Sequence, residues 1–576
     1  MFLPTTKEEL NNLNWNQLDV ILVSGDTYID SPYSGMAIIG RLLHSYGYKV
    51  GIIAQPDINN DDIIRLGEPR LFWGVSAGLV DSMVANYTAS KKRRNNDDFT
   101  PNGINNRRPD RASIVYTGLI RKFYKNTVPI VLGGIEASLR RVAHYDFWGN
   151  NVRKSLLFDA KADILVYGMA EKTIVKLANS LNAGEDFKDI RGLCYVSKEP
   201  KDGYIELESF DDVKADKLKF IKAFHTYYNN ADPITAKGLM QKQDSRYLIQ
   251  NPPEFYMSGE EIDKVYDLPY LRDVHPFYKK QGSIKALETI KYSITTHHGC
   301  YGECNFCAIS VHQGRTIRSR SEESILKEAR NFTNDKNFKG IIFDVGGATA
   351  NMYGFECDKK LAKGDCADKK RCLGETVCKT LKPNHKRQIE LLRKIRGLKG
   401  VKKVFVNSGI RYDLINQDKA YGDVYLKEIV EHHVSGQMKI APEHSEEKIL
   451  SLMGKPDKKT LLEFKKRFDD LSKKLGKKQF LTYYMIAAHP GCTEDDMKKL
   501  KDFANRELRL SPEQVQIFTP TPSTYSTLMY YTGLNPWTLK PIFVETDMGK
   551  KQKQKDMVVE KRVCHKKPRE SYDINL

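Results

Sequence analysis

The chain has 576 residues, which at about 150 residues each suggests two to four domains. Apolar residues make up 40% and charged residues 29%, a globular balance that excludes a wholly disordered or collagen-like chain. No apolar stretch approaches the roughly 18 residues of a membrane span, and the N-terminal sequence MFLPTTKEELNNLNWNQ lacks the pattern of a secretory signal. We therefore expect a cytoplasmic protein whose ten cysteines are reduced, and such cysteines bind metal when they cluster.

The charge is strongly basic, with 92 Lys and Arg against 73 Asp and Glu and a formal net charge of +19. Part of the excess is local: residues 550–569 are rich in lysine, and residues 91–94 with Arg107, Arg108 and Arg111 form a second basic cluster. We interpret both as solvated surface, with nucleic-acid binding as the alternative. The tail lacks the interleaved aromatic residues of a base-stacking surface.

The first 200 residues predict an α/β domain. Short apolar runs at 19–23, 48–53, 71–75, 129–132 and 164–167 are typical of buried parallel strands, and residues 35–46 have helical spacing. This alternation predicts a doubly wound, Rossmann-like sheet, interrupted by a charged loop at 90–111.

The rest of the chain predicts three further parts. Residues 201–285 are rich in Tyr, Pro and charge and are interpreted as a connecting region with a few helices. Strand-like runs at 292–296, 341–345, 403–407, 437–441, 480–487 and 515–518 alternate with amphipathic stretches, which predicts a partial (βα)6 barrel at 286–545. Residues 546–576 are expected to form a basic, disordered tail.

The clearest chemical motif follows the first of these later strands. Cys300, Cys304 and Cys307 have the spacing C-x3-C-x2-C, which can direct three thiolates at one centre. A structural zinc ion needs a fourth ligand, for which His297, His298 and His312 are the candidates. Three thiolates instead suit a 4Fe-4S cluster that leaves one iron open to another ligand.

This motif resembles the signature of radical S-adenosylmethionine (SAM) enzymes. The resemblance implies that Cys300, Cys304 and Cys307 hold a 4Fe-4S cluster and that Phe306 lies near the adenine of SAM. It further implies that the open iron chelates SAM and that one electron cleaves it into methionine and a 5′-deoxyadenosyl radical, which abstracts hydrogen from a substrate. An external one-electron reductant of flavodoxin or ferredoxin type is then expected as a partner.

Further candidate residues lie at the ends of the later strands, where a barrel carries its chemistry. Gly346 and Gly347 end the second strand at the position where the resemblance implies Gly-Gly-Glu, although Ala348 replaces the glutamate. Ser408 and Arg411 follow the third strand and offer a hydroxyl and a guanidinium for ribose and carboxylate. Glu443 ends the fourth strand. We predict that these residues contact SAM.

The chain is similar in particular to the YgiQ family of uncharacterised radical SAM proteins. The similarity is carried by VILVSGDTYID, VLGGIEASLRR, VYGMAEK, GCYGECNFCAISVHQGR, DVGGATANMYG, IRYDL, KIAPEH, AAHPGC and MYYTG. These strings run from residue 19 to near residue 536, so the resemblance covers most of the chain. It implies a type of chemistry without naming a substrate.

A second set of cysteines lies in a Lys-, Asp- and Gly-rich stretch after Gly347: Cys357, Cys366, Cys372 and Cys378. Because this stretch has few apolar residues to pack them, we interpret the four thiols as a second metal site, either an auxiliary iron–sulfur cluster or a structural zinc. Incidental thiols in a solvent-exposed loop are the alternative. Cys194, Cys492 and Cys564 are interpreted as ordinary residues.

The N-terminal sheet resembles the cobalamin-binding-like domain that precedes many radical SAM cores. Gly133-Gly134 and Gly168-Met169-Ala170 end two of its strands, and small residues there suit a flat ligand. A histidine two residues after Asp30 would ligate cobalt, but Pro32 occupies that position, which excludes this mode. We therefore favour a sheet that packs on the core and recognises substrate over one that binds cobalamin.

The leading hypothesis is thus a cytoplasmic radical SAM enzyme acting on an unknown substrate. The alternative is a nucleic-acid-binding protein with structural zinc sites. The basic clusters favour RNA weakly, and a protein or a small molecule is equally compatible with the sequence. Whether SAM serves as oxidant or group donor does not follow from these residues.

Overall fold

The computed structural model describes residues 1–366, 371–510 and 512–559. Its first half is built on a sheet of nine strands in the order β2-β1-β3-β4-β7-β8-β11-β10-β9, beside a separate antiparallel pair, β5 and β6. The strands are β1 (Val20–Ser24), β2 (Val50–Ala54), β3 (Phe72–Ser76), β4 (Ile130–Gly133), β5 (His144–Asp146), β6 (Asn151–Arg153), β7 (Ile164–Val166), β8 (Leu193–Ser197), β9 (Ile205–Leu207), β10 (Leu239–Gln243) and β11 (Arg246–Gln250).

The five strands from β2 to β7 in this order are parallel, and their apolar runs form the buried centre of the sheet. The helices of this half are α1 (Lys7–Asn12), α2 (Gly35–Ser45), α3 (Ser82–Asn86), α4 (Ala112–Phe123), α5 (Gly134–Leu139), α6 (Leu156–Ala160), α7 (Glu171–Ala183), α8 (Phe210–Ala215), α9 (Lys217–Asn229), α10 (Gly259–Tyr266), α11 (Pro276–Lys279) and α12 (Ala286–Ile290). Leu43 of α2 and Leu177 of α7 belong to one apolar cluster, whereas Tyr116 of α4 and Leu157 of α6 belong to another. Helices therefore cover both faces, which confirms the doubly wound prediction.

The stretch at 201–285 differs from the sequence interpretation because it adds β9, β10 and β11 to the sheet. Its strands are hard to recognise because polar residues occupy buried positions. Gln241 Oε1 accepts a hydrogen bond from Ala143 N at 2.9 Å, and Gln243 Oε1 accepts one from Ser155 N at 2.9 Å. These amides hide the alternation of apolar and polar residues on which strand prediction depends.

The second half contains a series of parallel strands that pair in chain order, and a short antiparallel pair. The strands are β12 (Ser293–Thr295), β13 (His297–His298), β14 (Arg318–Ser319), β15 (Ile341–Ile342), β16 (Asp344–Gly346), β17 (Lys403–Val404), β18 (Gln437–Glu443), β19 (Phe480–Ala487) and β20 (Gln514–Ile517). β12 pairs with β16, β15 with β17, and β18 with β19 and then β20, all parallel, whereas β13 and β14 form the antiparallel pair. A parallel bridge between Ile410 and Ile440 connects the two groups. The structure thereby confirms a partial (βα)6 barrel.

Helices pack around these strands, and their apolar faces form one core with Ile294, Val404 and Ile440. They are α13 (Ile309–Gln313), α14 (Glu322–Thr333), α15 (Asp358–Lys363), α16 (Lys386–Arg396), α17 (Tyr412–Gln417), α18 (Gly422–Glu428), α19 (Glu447–Met453), α20 (Lys458–Lys474), α21 (Glu494–Phe503), α22 (Tyr525–Thr532) and α23 (Met548–Val558). Among the helices in the described ranges, none combines the length and the apolar character that crossing a membrane requires.

The basic loop at 90–111 is not simply solvated surface. Arg108 is buried and pairs with Asp26 and with Asp97, the latter at 3.2 Å. Arg111 pairs with the buried Asp146 at 2.5 Å. Two cations of this cluster therefore neutralise interior carboxylates, which reduces the positive surface available to a nucleic acid.

The first part of the predicted tail is a helix, α23, that packs on the core. Lys551 Nζ donates a hydrogen bond to Tyr530 Oη at 2.8 Å, and Gln554 Oε1 accepts one from Ala488 N at 3.1 Å. Val558 is buried in the core. Residues 560–576, including Cys564, lie outside the described residues.

Candidate active site

The three-cysteine motif occupies the loop between β13 and α13. The loop begins at Gly299, whose φ is +82° and where a Cβ atom would stand 2.2 Å from the carbonyl oxygen of Thr316. Only glycine fits this backbone. Cys300 N then donates to Gly314 O at 3.2 Å, and Cys307 N donates to Cys304 O at 2.9 Å. The local backbone therefore fixes where all three thiols emerge.

The thiols share one partly buried region. Cys300 Sγ accepts a hydrogen bond from Gly302 N at 3.3 Å and lies 3.4 Å from Thr349 Oγ1. Burial raises the pKa of Cys300, and Cys304 raises it further. Burial also raises the pKa of Cys307 to about 12, with contributions from Cys304 and Cys300. A bound metal centre would stabilise the thiolate forms of Cys300 and Cys307, which burial disfavours.

Arg411 supplies the cation nearest to this region. Its Nη1 lies 3.7 Å from Cys304 Sγ, while Nε and Nη2 donate to the two carboxylate oxygens of Asp413 at 2.8 and 2.5 Å. Its backbone N donates to Asn351 Oδ1 at 2.8 Å, and Asn351 Nδ2 donates back to Arg411 O at 3.0 Å. The guanidinium is thus held rigidly and can offset the negative charge of thiolates.

The ends of β16 and the following strand segment bring Gly347, Asp344 and Ser408 together. A Cβ atom at Gly347 would stand 2.8 Å from the ring of His297, so this position requires glycine. Ser408 Oγ donates to Asp344, whose Oδ1 also accepts from Asn407 N at 2.8 Å. Asp344, the first residue of β16, therefore provides a carboxylate beside Ser408, whereas Ala348 has none to offer.

Glu443 ends β18 with a φ of +71°, a left-handed conformation that is costly for a residue with a side chain. The pairing of β18 with β19 is irregular between Ile440 and Glu443. The buried carboxylate lies 3.4 Å from Lys455 Nζ, which itself lies 5.9 Å from the centre of the Phe306 ring. Burial raises the pKa of Glu443, and Lys455 opposes that effect. The structure thus connects Glu443 and Phe306 through a lysine that the sequence interpretation missed.

The three histidines considered as a fourth zinc ligand have other partners. His297 Nδ1 hydrogen-bonds with Thr296 Oγ1 at 2.8 Å, His298 Nε2 with Tyr266 Oη at 3.1 Å, and His312 Nδ1 with Ser138 Oγ at 3.0 Å. Burial lowers the pKa of His298 and of His312 to about 4. Both rings are therefore neutral at physiological pH.

A cavity of about 500 Å³ lies between the two halves of the chain. Its walls come from the carboxyl ends of β1, β3, β4 and β7 and from those of β12 and β16. Gly346, Gly347 and Ser408 line it, whereas Arg411, Glu443 and Phe306 do not. Ligands of α/β proteins bind at the carboxyl ends of parallel strands, and here two such edges face one space.

The second cysteine set packs against Tyr301 of the three-cysteine loop. Cys357 and Cys372 are buried in an apolar cluster with Tyr301, Leu373 and Leu381, so the argument that this stretch lacks apolar packing is wrong. The sequence did not reveal the cluster because Tyr301 comes from a distant segment. Cys378 and Cys366 are partly buried. Within residues 1–366, 371–510 and 512–559, no group of three His, Cys, Asp or Glu residues that could hold a single metal ion is found.

This segment also anchors the three-cysteine loop. Arg371 donates from Nη1 to Glu303 O at 3.1 Å and from Nη2 to Asn305 Oδ1 at 2.5 Å. Tyr301 Oη accepts a hydrogen bond from Cys357 N at 2.8 Å. No sequence signal identified Arg371, because its partners lie more than sixty residues away.

Two protein-family models match the chain. The model described as Radical SAM N-terminal matches residues 2–293, and the model described as Radical SAM superfamily matches residues 294–504. The protein is therefore a radical SAM enzyme, a class that uses a 4Fe-4S cluster and SAM and needs an external reductant.

More narrowly, the chain belongs to the UPF0313 family of radical SAM proteins. It is 62% identical to a UPF0313 protein of Fusobacterium nucleatum over 97% of this chain and 99% of that protein. It is 50% identical to a UPF0313 protein of Thermotoga petrophila over 98% of this chain and 99% of that one. These relatives confirm the predicted resemblance to uncharacterised radical SAM proteins of YgiQ type.

Solved structures show more distant likenesses. The radical SAM methyltransferase TsrM from Kitasatospora setae, with cobalamin and a [4Fe-4S] cluster bound, is 15% identical with a TM-score of 0.49, covering 88% of this chain and 76% of that one. The cobalamin-dependent radical enzyme OxsB, with aqua-cobalamin bound, is 15% identical with a TM-score of 0.49, covering 91% and 56%. Likenesses at this level add nothing to the description of the site.

Proposed function

We propose that Cys300, Cys304 and Cys307 hold the 4Fe-4S cluster with which this enzyme cleaves SAM reductively. The observation that carries the proposal is the convergence of three thiols from one rigid loop beside the Arg411 guanidinium. A cubane cluster is bound through separate iron atoms, so its thiolates stand further apart than the ligands of a single ion. When bound, the cluster supplies one electron to SAM, and the 5′-deoxyadenosyl radical released acts on the substrate.

The surrounding residues have roles that follow from their contacts. Arg411 offsets negative charge at Cys304, and Asp413 with Asn351 keeps the guanidinium in place. Gly346, Gly347 and Ser408 present a close backbone approach and a hydroxyl on the cavity side. The Asp344 carboxylate is the group that would bind the amino group of SAM. Ala348 occupies the position where the resemblance implies a glutamate, and it has no carboxylate for this role. Lys455 lies within reach of both Glu443 and the ring of Phe306, which belongs to the three-cysteine loop.

Two cofactor questions extend this proposal. A second metal at Cys357, Cys366, Cys372 and Cys378 has less support than the first, because two of those thiols pack in an apolar cluster. For the N-terminal sheet we favour substrate recognition over cobalamin. In the segment after β1, Asp30 forms a buried ion pair with Arg41. The histidines that line the cavity are His297, His298 and His312, and all three belong to the second half of the chain.

The test is anaerobic incubation of the purified protein with SAM and dithionite. We expect 5′-deoxyadenosine from the native protein and none from Cys304→Ala, because the variant loses one of the cluster thiolates. Cys194→Ala, which removes a buried thiol of β8, is the matched control and should retain product formation. Product formation by Cys304→Ala at the native rate would refute the assigned role. A flavodoxin or ferredoxin that replaces dithionite would identify the type of reductant.

The nucleic-acid-binding alternative with structural zinc makes the opposite prediction. It requires a colourless protein with stoichiometric zinc, whereas an iron–sulfur protein absorbs at about 400 nm. Arg108 and Arg111 are already paired with interior carboxylates, which weakens the basic-loop argument for that alternative.

A further inference from the structure

A smaller cavity of about 110 Å³ adjoins the large one. The two share five lining residues: Gly168, Met169, His298, His312 and Gln313. The smaller cavity has a basic lining that includes Arg141, Lys172, Arg315 and Arg318. The main cavity, which Gly346 and Gly347 line, therefore shares a wall with a basic side chamber.

Arg141 differs from the other buried arginines of the chain. The other buried arginines of the described residues each pair with a carboxylate: Arg41 with Asp30, Arg108 with Asp26 and Asp97, Arg140 with Asp81, Arg315 with Glu303, Arg320 with Glu328, and Arg411 with Asp413. Arg141 is only 4% exposed, yet in the part of the chain that the structure describes no carboxylate lies within 4.0 Å of it. Its hydrogen bonds go to neutral acceptors, Gln250 Oε1 and Ser138 O.

Neighbouring groups compensate this charge only in part. The guanidinium lies 4.5 Å from the ring centre of Tyr167 and 4.6 Å from that of Tyr227, which are favourable cation–π contacts. A buried cation without an anion nevertheless carries an unrecovered cost of desolvation.

The other cations of the side chamber are already neutralised. Lys172 pairs with Glu261 at 3.4 Å, Arg315 with Glu303 at 3.7 Å, and Arg318 with Glu356 at 2.7 Å. Glu254, the acid that lines the chamber, pairs with Lys176 at 2.6 Å. Among the described residues that line the chamber, Arg141 is thus the cation without an ion-pair partner.

The main cavity is, in contrast, mostly apolar and has no lysine or arginine among its described lining residues. Leu22, Phe72, Val131 and Ile174 are among its walls. Of its acids, Asp26 pairs with Arg108, whereas Asp344 accepts hydrogen bonds from the neutral donors of Ser408. Burial raises the pKa of the third acid that lines the cavity, Glu171.

We propose that the two adjacent cavities bind the substrate together, and that this substrate is a small molecule with an apolar body and one anionic group. The anionic group lies on Arg141 in the side chamber, and the apolar body fills the main cavity towards Gly346 and Gly347. This proposal rests on the proposed function, because it names the substrate class of that site. Carboxylate and phosphate share the required chemistry, since both accept two hydrogen bonds from a guanidinium.

The test measures binding to the anaerobically purified full-length protein by titration calorimetry. Three probes share one apolar chain: octanoate, octyl phosphate and 1-octanol. We expect at least one anionic probe to bind about tenfold or more tightly than octanol. Arg141→Gln should abolish that preference while leaving octanol binding unchanged, and Arg141→Lys should retain part of it. Whichever anion binds more tightly identifies the anionic group.

Two controls separate this role from packing. Gly133→Leu should weaken binding of all three probes, because Gly133 has extended backbone (φ −151°) and a Cβ there meets no heavy atom within 4 Å, so leucine extends into the main cavity. Arg107→Gln, an exposed arginine outside the cavities, should change nothing.

Equal affinity for the three probes, no binding of either anion, or an unchanged preference in Arg141→Gln would overturn the proposal. A single-stranded RNA that displaces octanoate would also overturn it in favour of a nucleic-acid substrate. Because none of these measurements uses SAM, they can fail while 5′-deoxyadenosine is still formed, and the reverse also holds.

Discussion

The two cysteine-rich segments lie close together in the fold and have very different surroundings. Cys300, Cys304 and Cys307 lie on a loop at strand ends, beside the Arg411 guanidinium and close to the interdomain cavity. Cys357 and Cys372 pack among Leu373, Leu381 and the ring of Tyr301. The segment with more thiols is thus the one with fewer features of a reactive centre. Charge, strand ends and a neighbouring cavity distinguish a chemical site from a packed one better than the number of cysteines does.

The largest expected effect is on iron content. Replacing Cys300, Cys304 and Cys307 together by alanine should remove all iron that supports SAM cleavage, measured as iron per chain after anaerobic purification. Cys357→Ala/Cys372→Ala should retain that iron. If the triple variant keeps stoichiometric iron or zinc, the second segment binds a metal of its own and the contrast between the two segments fails.

Removing the cation beside the first segment should be the next largest effect. Arg411→Met leaves the buried Asp413 carboxylate unpaired, which should lower the free energy of unfolding by about 3 to 5 kcal/mol in denaturant titrations. The double variant Arg411→Met/Asp413→Leu should recover part of that stability. Its iron content per chain should stay below that of the native protein. Recovery of both would show that Arg411 acts only through folding.

Arg371 of the second segment hydrogen-bonds to the first segment, and replacing it tests this connection. Arg371→Met removes hydrogen bonds to Glu303 O and Asn305 Oδ1, so we expect a loss of about 1 to 3 kcal/mol and lower retention of iron on dilution. Lys379→Met, an exposed position on the same segment, is the matched control. Equal behaviour of the two variants would mean that the second segment does not support the first.

The smallest effect is expected for Tyr301→Phe, which removes the acceptor of the Cys357 N–H hydrogen bond while keeping the ring. The cost should be about 1 kcal/mol in thermal or chemical unfolding, because the amide is left buried without a partner. Tyr46→Phe, at an exposed tyrosine, should cost nothing measurable. A larger loss for Tyr46 than for Tyr301 would contradict the packing described for the second segment.

The sequence predicted those features that depend on local pattern. Apolar runs located β1 to β4 and β7 because buried parallel strands are continuous apolar segments, and the cysteine spacing located the loop. It missed β9 to β11, where buried glutamines replace apolar residues. It also missed Arg141 and Lys455, whose significance depends on partners that are present or absent in space. A buried arginine looks like a solvated one until its surroundings are known.

The contact of α23 with Ala488 has a practical consequence for work on this protein. Ala488 has a φ of +56°, and its amide is satisfied by the side chain of Gln554 on that terminal helix. Shortened versions that end before Met548 would leave this strained turn after β19 without its hydrogen-bond acceptor. Affinity tags and fluorescent fusions are therefore better attached after residue 559, and deletion series should treat the lysine-rich helix as part of the folded enzyme.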